Sequence, residues 1–195
     1  KLKADFGGPA PPSMVKAVEG RIPSVNVPEE LPTLETYMEA ERIQKIDLYG
    51  QFQDALRAVL NINAIKASGL KIAHDPMYGS GQGLVTGLLG NEQVTTIHHE
   101  INPGFNGIAP EPIERNLKEL SETIRTHDLD VGVANDGDAD RIGMFDEHGR
   151  YVSSHLILSL LVKYLYQERG LQGTVVKTFS TTHMLDKMAD AYGLE

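Results

Sequence analysis

The sequence predicts an α/β fold: a mainly parallel, mixed sheet covered by helices, with partial domains flanking one complete unit. Three observations carry that expectation. Strand candidates alternate with stretches whose apolar residues recur every three or four positions, the signature of strands exchanging with amphipathic helices. Turn-forming residues punctuate them, as in Asp75-Pro-Met-Tyr-Gly and Asn102-Pro-Gly. The composition, 41% hydrophobic and 23% charged residues among 195, is that of a chain that buries a core.

The elements follow in order. Residues 1–5 read as a short strand, and Phe6-Gly7-Gly8-Pro9-Ala10-Pro11-Pro12 as a turn whose prolines preset helical φ for a helix over 13–19. Prolines 23, 28 and 32 interrupt any steady period between 21 and 33, the composition of a linker. Helical spacing resumes near Leu34 and again at Phe52, Leu56 and Val59. Residues 70–74 form a strand candidate, 75–81 a loop leading into a helix that ends at Gly90, and 94–98 the next strand. Between 112 and 127, Ile113, Leu117, Leu120 and Ile124 share one helical face. Strands over 130–134 and 142–145 bracket an acidic loop. A helix over 154–168, a strand over 174–179 and a helix after Thr181 complete the series. The first residue is not Met and the last strand–helix pair stops abruptly, so the chain is expected to be a piece of something longer. Residues 1–34 are then a tail and linker, 35–150 the complete α/β unit, and 151–195 an incomplete third part.

Composition excludes some functions. A formal net charge of −9 disfavours nucleic acid and anionic membranes as partners, since both are polyanions. Without cysteine there are no disulfides, thiolate metal ligands or thiol nucleophiles in this chain. The longest apolar run, 156–162, is far too short to span a bilayer, and the opening residues carry no signal-peptide core.

The most informative segment is Asn135-Asp136-Gly137-Asp138-Ala139-Asp140-Arg141. Three carboxylates at alternate positions repel one another unless a divalent cation neutralises them, and hard oxygen donors suit Mg²⁺, Mn²⁺ or Ca²⁺. Gly137 is expected to give the backbone angles closed to other residues, and Ala139 to add no bulk. Arg141 presents a planar cation suited to a phosphate. A metal beside an arginine implies chemistry on a phosphoryl group. Three other readings compete: a structural calcium loop, an unliganded acidic hairpin, and a short DxD-type nucleotide-sugar site. In EF-hand register the aspartates fall at positions 1, 3 and 5 and Glu147 at 12, but Arg141 stands where the sharp turn needs glycine. Elsewhere, His98 and His99 beside Glu100 suggest a metal site, but adjacent strand residues point to opposite faces. Gly79-Ser80-Gly81 reads as a plain strand–helix turn, and Lys177 and His183 as surface or structural residues.

At the acidic loop the sequence resembles the α-D-phosphohexomutases, the phosphoglucomutase and phosphomannomutase family, whose loop reads Asp-Gly-Asp-(Gly/Ala)-Asp-Arg; residues 136–141 match at every position. Lys71-Ile-Ala-His-Asp-Pro-Met-Tyr-Gly79, Asn102-Pro-Gly-Phe105 with Pro110-Glu-Pro112 and Asn116-Leu117, Thr174-Val-Val-Lys-Thr178 with Met184-Leu-Asp186, and Gly7-Gly-Pro-Ala-Pro11 resemble further family segments in the family's order. The resemblance implies an α/β/α domain II, preceded by the end of domain I and followed by the start of domain III. It implies a cytoplasmic enzyme interconverting hexose 1-phosphate and hexose 6-phosphate of glucose or mannose, through a phosphoserine and a hexose 1,6-bisphosphate that serves as intermediate and activator. An amino-sugar phosphate mutase of the same family is the alternative. Asp136, Asp138 and Asp140 would hold one Mg²⁺, and Arg141 would contact the phosphate or position the loop. Lys1 falls on a lysine proposed for proton transfer. The family's Thr-(Ala/Ser)-Ser-His-Asn serine loop is absent from the chain, so the isolated piece is expected to be inactive.

Overall fold

A computed structural model describes residues 2–26, 28 and 30–194. Lys1, one of the expected catalytic residues, lies outside the described residues. Contacts divide the chain into two units, Lys1–Ile46 and Asp47–Glu195.

In the first unit, α1 (Pro12–Glu19) begins where prolines at its N-terminal turn supply helical φ and need no donor. The α2 helix (Leu34–Glu39) is capped by Thr33, whose hydroxyl accepts from Thr36 N–H at 3.3 Å. The strand expected over 1–5 is reduced to a single bridge between Lys3 and Pro9, around a turn in which Ala4 N–H donates to Gly8 O. A strand needs a partner of comparable length, and Pro9 has no N–H to extend the pairing.

The second unit opens with α3 (Leu48–Val59) and α4 (Ile62–Ala67), capped by Asp47 and Asn61 side chains. It continues through β1 (Ile72–Asp75), α5 (Leu84–Leu89), β2 (Val94–Thr96), α6 (Lys118–His127), β3 (Val131–Asn135), β4 (Ile142–Phe145), β5 (Tyr151–Val152), α7 (Ser154–Gln167) and α8 (Met184–Tyr192). The sheet order is β2-β1-β3-β4-β5. Both pairings of β1 are parallel; the short connections after β3 and β4 allow only antiparallel hairpins, so the sheet is mixed.

The crossovers position the site. From β1 the chain moves outward through α5 to β2, then returns across β1 through α6 to β3. Crossovers of one hand running in opposite directions put their helices on opposite faces. Thr86 of α5 meets Thr96 on the face shared with His74 and Val133, at 3.1 Å between hydroxyl oxygens. On the other face α6 packs on Ala73, Gly132 and Ala134. A Cβ on Gly132 would overlap Ile124 Cδ1, so glycine lets the helix sit close. Leu117, Leu120 and Ile124 are fully buried, as the spacing predicts, and each contributes about 1.5–3 kcal/mol of burial. The turn after β1 and the loop after β3 lie side by side at the carboxyl end of the sheet, where Ser80 N–H donates to Gly137 O.

Two elements differ from expectation. Residues 174–179 form no strand: no ladder partner lies beside them among the described residues, and Val176 and Phe179 are exposed. A lone strand leaves its amide groups to water and gains nothing from being regular. In α3 the apolar stripe of Phe52 and Val59 is exposed, whereas Gln53 is buried against α5, under Gly87.

Candidate metal centre

β3 delivers Asp136 to the carboxyl end of the sheet on the same face as Gly132 and Ala134, and the 136–141 loop returns as β4. Asp136 is buried. Its Oδ1 accepts from the Asp140 and Arg141 backbone N–H groups at 2.8 and 2.9 Å, and its Oδ2 accepts from Arg141 Nε at 2.8 Å. Burial, the largest single influence, pushes this carboxyl up. The Arg141 backbone and guanidinium together with Asp138 outweigh it, and hold the group down at about 2. Asp136 is therefore ionised at neutral pH.

Asp138 and Asp140 are exposed, and ligand oxygens of all three aspartates lie within 4.8 Å of one another. A carboxylate has about four lone-pair sites, and Asp136 uses three on hydrogen bonds, leaving one on Oδ2. Together with two exposed carboxylates that makes an oxygen-only donor set, which fits a hard divalent cation. Arg141, itself exposed, spends its backbone N–H and Nε on Asp136 and approaches Glu111 at only 3.9 Å. Its terminal nitrogens stay available to a bound anion.

The loop is gripped by two neighbours. Gly137 N–H donates to Pro110 O at 3.2 Å, and Gly137 O accepts from Ser80 N–H at 3.0 Å. A Cβ on Gly137 would meet Pro110 and Phe105 at 3.3–3.4 Å, and one on Gly79 would lie 2.6 Å from Gly137 O. Glycine is needed at 79 for this close approach, whereas at 137 the fit is tight. The positive φ in the loop belongs to Ala139, at 58°, correcting the expectation that Gly137 takes the unusual angles. On the sheet's other face, Asn135 Oδ1 lies 3.1 Å from His74 Nε2, tying the strand just before Asp136 to β1.

The remaining sequence candidates separate from the loop. Ser80 serves it through its backbone alone. Lys177 and His183 both pair with Asp186, at 2.8 and 2.9 Å, around the start of α8. β2 ends at Thr96, so His98 lies in a turn, and its partners are Asp75 and Glu119, which sequence reasoning missed. No local signal could have found them, because the three residues come from separate elements.

A family model described as phosphoglucomutase/phosphomannomutase, alpha/beta/alpha domain II, matches residues 50–149. A phosphopentomutase of Thermococcus kodakarensis is 30% identical over 82% of this chain and 39% of its own length. A probable phosphoglucosamine mutase of Pyrococcus abyssi is 32% identical over 86% of this chain and 39% of its own. The crystal structure of a putative phosphomannomutase from Thermus thermophilus superposes with a TM-score of 0.77 at 30% identity, covering 96% of this chain and 42% of that one. The chain thus spans about two fifths of the length of these relatives. With the matched segment containing β1 to β4 of the sheet and the three-aspartate loop, the chain belongs to the phosphoglucomutase/phosphomannomutase family.

Proposed function

We propose that the protein is a phosphosugar mutase in which Asp136, Asp138 and Asp140 hold one Mg²⁺ and Arg141 faces the phosphate. The observation that carries this reading is the convergence of three carboxylates, within 4.8 Å, beside an arginine at the carboxyl end of β3. A divalent ion there supplies neutralisation of charge building on phosphoryl oxygens during transfer. Asp136, anchored by Arg141, sets the loop's shape before any ligand arrives, so little reorganisation remains. The Arg141 terminal nitrogens attract and orient a phosphate through two planar donors.

In the reaction proposed, the P–O bond of a phosphoserine breaks as a sugar hydroxyl oxygen bonds to phosphorus, and the hydroxyl proton passes to a base. Lys1 is the residue proposed for proton transfer. The second phosphate of the resulting hexose 1,6-bisphosphate then returns to the serine. The serine belongs to a Thr-(Ala/Ser)-Ser-His-Asn segment that residues 1–195 do not contain. Residues 1–34, 35–150 and 151–195 correspond in this reading to the end of domain I, domain II and the start of domain III. Glucose or mannose phosphates are the proposed substrates, in a cytoplasmic setting. An amino-sugar phosphate is the second reading, favoured by the similarity to a probable phosphoglucosamine mutase. A structural calcium loop is disfavoured by the strands that flank it, where an EF-hand has helices. Among the described residues, no helix is long and apolar enough to cross a membrane.

The test is a metal titration paired with Asp138→Asn in the protein carrying its serine. Expected are weak Mg²⁺ or Mn²⁺ binding that tightens with a phosphate ligand, and phosphoryl transfer lowered by about 100-fold or more with the fold intact. Unchanged turnover in the variant removes the loop from the chemistry, and tight Ca²⁺ binding with a large gain in stability favours the structural reading.

A further inference from the structure

β1 ends on Asp75, which is 1% exposed. Its Oδ1 accepts from Met77 N–H at 2.8 Å, and both its oxygens lie 3.0 Å from Nδ1 of His98. The other ring nitrogen, Nε2, lies 3.1 Å from Glu119 Oε2 on α6. Ionised carboxylates only accept hydrogen bonds, so an imidazole held between two of them needs a hydrogen on each nitrogen. With both carboxylates ionised, His98 is an imidazolium.

This ion holds more than its two carboxylates. Tyr78 N–H donates to His98 O at 2.9 Å, and the two rings pack with centroids 4.8 Å apart. Met77, Tyr78 and His98 all take positive φ, at 49°, 59° and 48°. Residues other than glycine keep such angles only where their surroundings over-determine them. The turn so fixed, residues 76–80, does not end in solvent. It abuts Gly137, with no room for a Cβ on Gly79, and Ser80 N–H bonds Gly137 O. Gly137 stands between Asp136 and Asp138.

We propose that His98, clamped as an imidazolium between Asp75 and Glu119, is a positioning residue for the three-aspartate loop, acting through the 76–80 turn on Gly137. The proposal rests on the reading of that loop as a metal site. Burial opposes the charge on His98, but Asp75 and Glu119 together raise its titration above the ordinary value, while burial raises Asp75. A histidine raised on folding keeps its contribution below its unfolded pKa and loses it as pH rises through the folded one. Tyr78 also faces His98 and is itself raised by burial and by Glu100, Glu119 and Asp75, so its phenol loses its proton on the far alkaline side. Loss of the clamp on the alkaline side has the opposite sign to proton competition, which weakens carboxylate metal binding only on the acid side.

The experiment follows the Ser80 and Gly137 backbone amides and the His98 ring by nuclear magnetic resonance in the metal-free protein. The range is about pH 6 to about 9.5, beside Mg²⁺ titrations over the same range. The variants are Glu119→Gln, at an exposed side chain, and His98→Ala. In the wild type the two amides follow the His98 inflection and Mg²⁺ affinity falls across it. Glu119→Gln moves all three to lower pH together by roughly half a unit or more. His98→Ala abolishes the inflection and leaves Mg²⁺ binding roughly 10-fold weaker throughout. Amides that ignore the His98 titration, or stay put when Glu119→Gln moves it, overturn the clamp. Amides that follow His98 in a protein that binds no Mg²⁺ at any pH overturn the metal reading and leave the coupling standing.

Discussion

Replacing Gly79 by alanine tests the lock between the 76–80 turn and the acidic loop. The added Cβ would stand 2.6 Å from Gly137 O, 2.8 Å from its Cα and 3.0 Å from its carbonyl carbon. All three are backbone atoms, so relief cannot come from a rotamer change. Separating the two backbones to ordinary contact takes about 0.8 Å or more and stretches the 3.0 Å bond from Ser80 N–H to Gly137 O past its useful range, about 3.5 Å. Overpacking costs about 1–3 kcal/mol, and the lost hydrogen bond adds about 1 kcal/mol, so the expected destabilisation is about 2–4 kcal/mol. Urea unfolding followed by far-ultraviolet circular dichroism measures it, the chain having no tryptophan to report by fluorescence. The midpoint should fall with an unchanged slope. Gly104→Ala is the control: φ there is −86°, and its Cβ would meet only Asn102 Oδ1, at 3.4 Å. That change should stay within about 0.5 kcal/mol. The metal affinity of Gly79→Ala should fall with its stability, because the strain reaches Gly137. A Gly79→Ala protein as stable as the control would refute the steric argument and, with it, the claim that the two loops move as one.

Two further outcomes are expected. Leu120→Ala removes a fully buried side chain from the α6–sheet core and should cost about 2–5 kcal/mol in the same urea assay; a loss under about 1 kcal/mol would mean that α6 repacks freely. Arg141→Lys keeps the charge but loses the Nε donor to Asp136 Oδ2. Asp136, held at about 2, contributes stability that is present above its unfolded pKa and lost as pH falls toward 2. The variant should therefore raise the Asp136 pKa and shift acid unfolding to higher pH, which a circular-dichroism acid titration would detect; an unmoved acid midpoint would show that an ammonium group satisfies Asp136 as well as the guanidinium does.

The sequence was informative where the relevant residues are neighbours along the chain. Asp136, Asp138 and Asp140 sit at alternate positions of one tight connection, so the return from β3 to β4 brings their oxygens together. Leu117, Leu120 and Ile124 repeat at helical spacing and are buried together, although the helix proper starts at Lys118 and Ile113 lies outside it. The same logic misled at α3. Phe52, Leu56 and Val59 describe a stripe, yet the side that packs on α5 is Gln53 with Tyr49, whose hydroxyl donates to Gly83 O. Periodicity shows that a helix has an apolar face and is silent on which neighbour it meets. The 174–179 stretch has strand-forming residues and no strand, because a ladder is a property of two segments and pattern describes only one.

What the sequence alone determined is the acidic hairpin, the alternation of strands and helices, and the buried face of α6. Each depends on positions a few residues apart, where chain geometry leaves little choice. Only the tertiary structure decided that Asp75, His98 and Glu119 meet, and that Gly79 is a glycine for want of space rather than for backbone angle. His98 stands 23 residues from Asp75 and 21 from Glu119. Contacts across such separations are made by the crossovers of the sheet and the seating of α6, which no local spacing encodes.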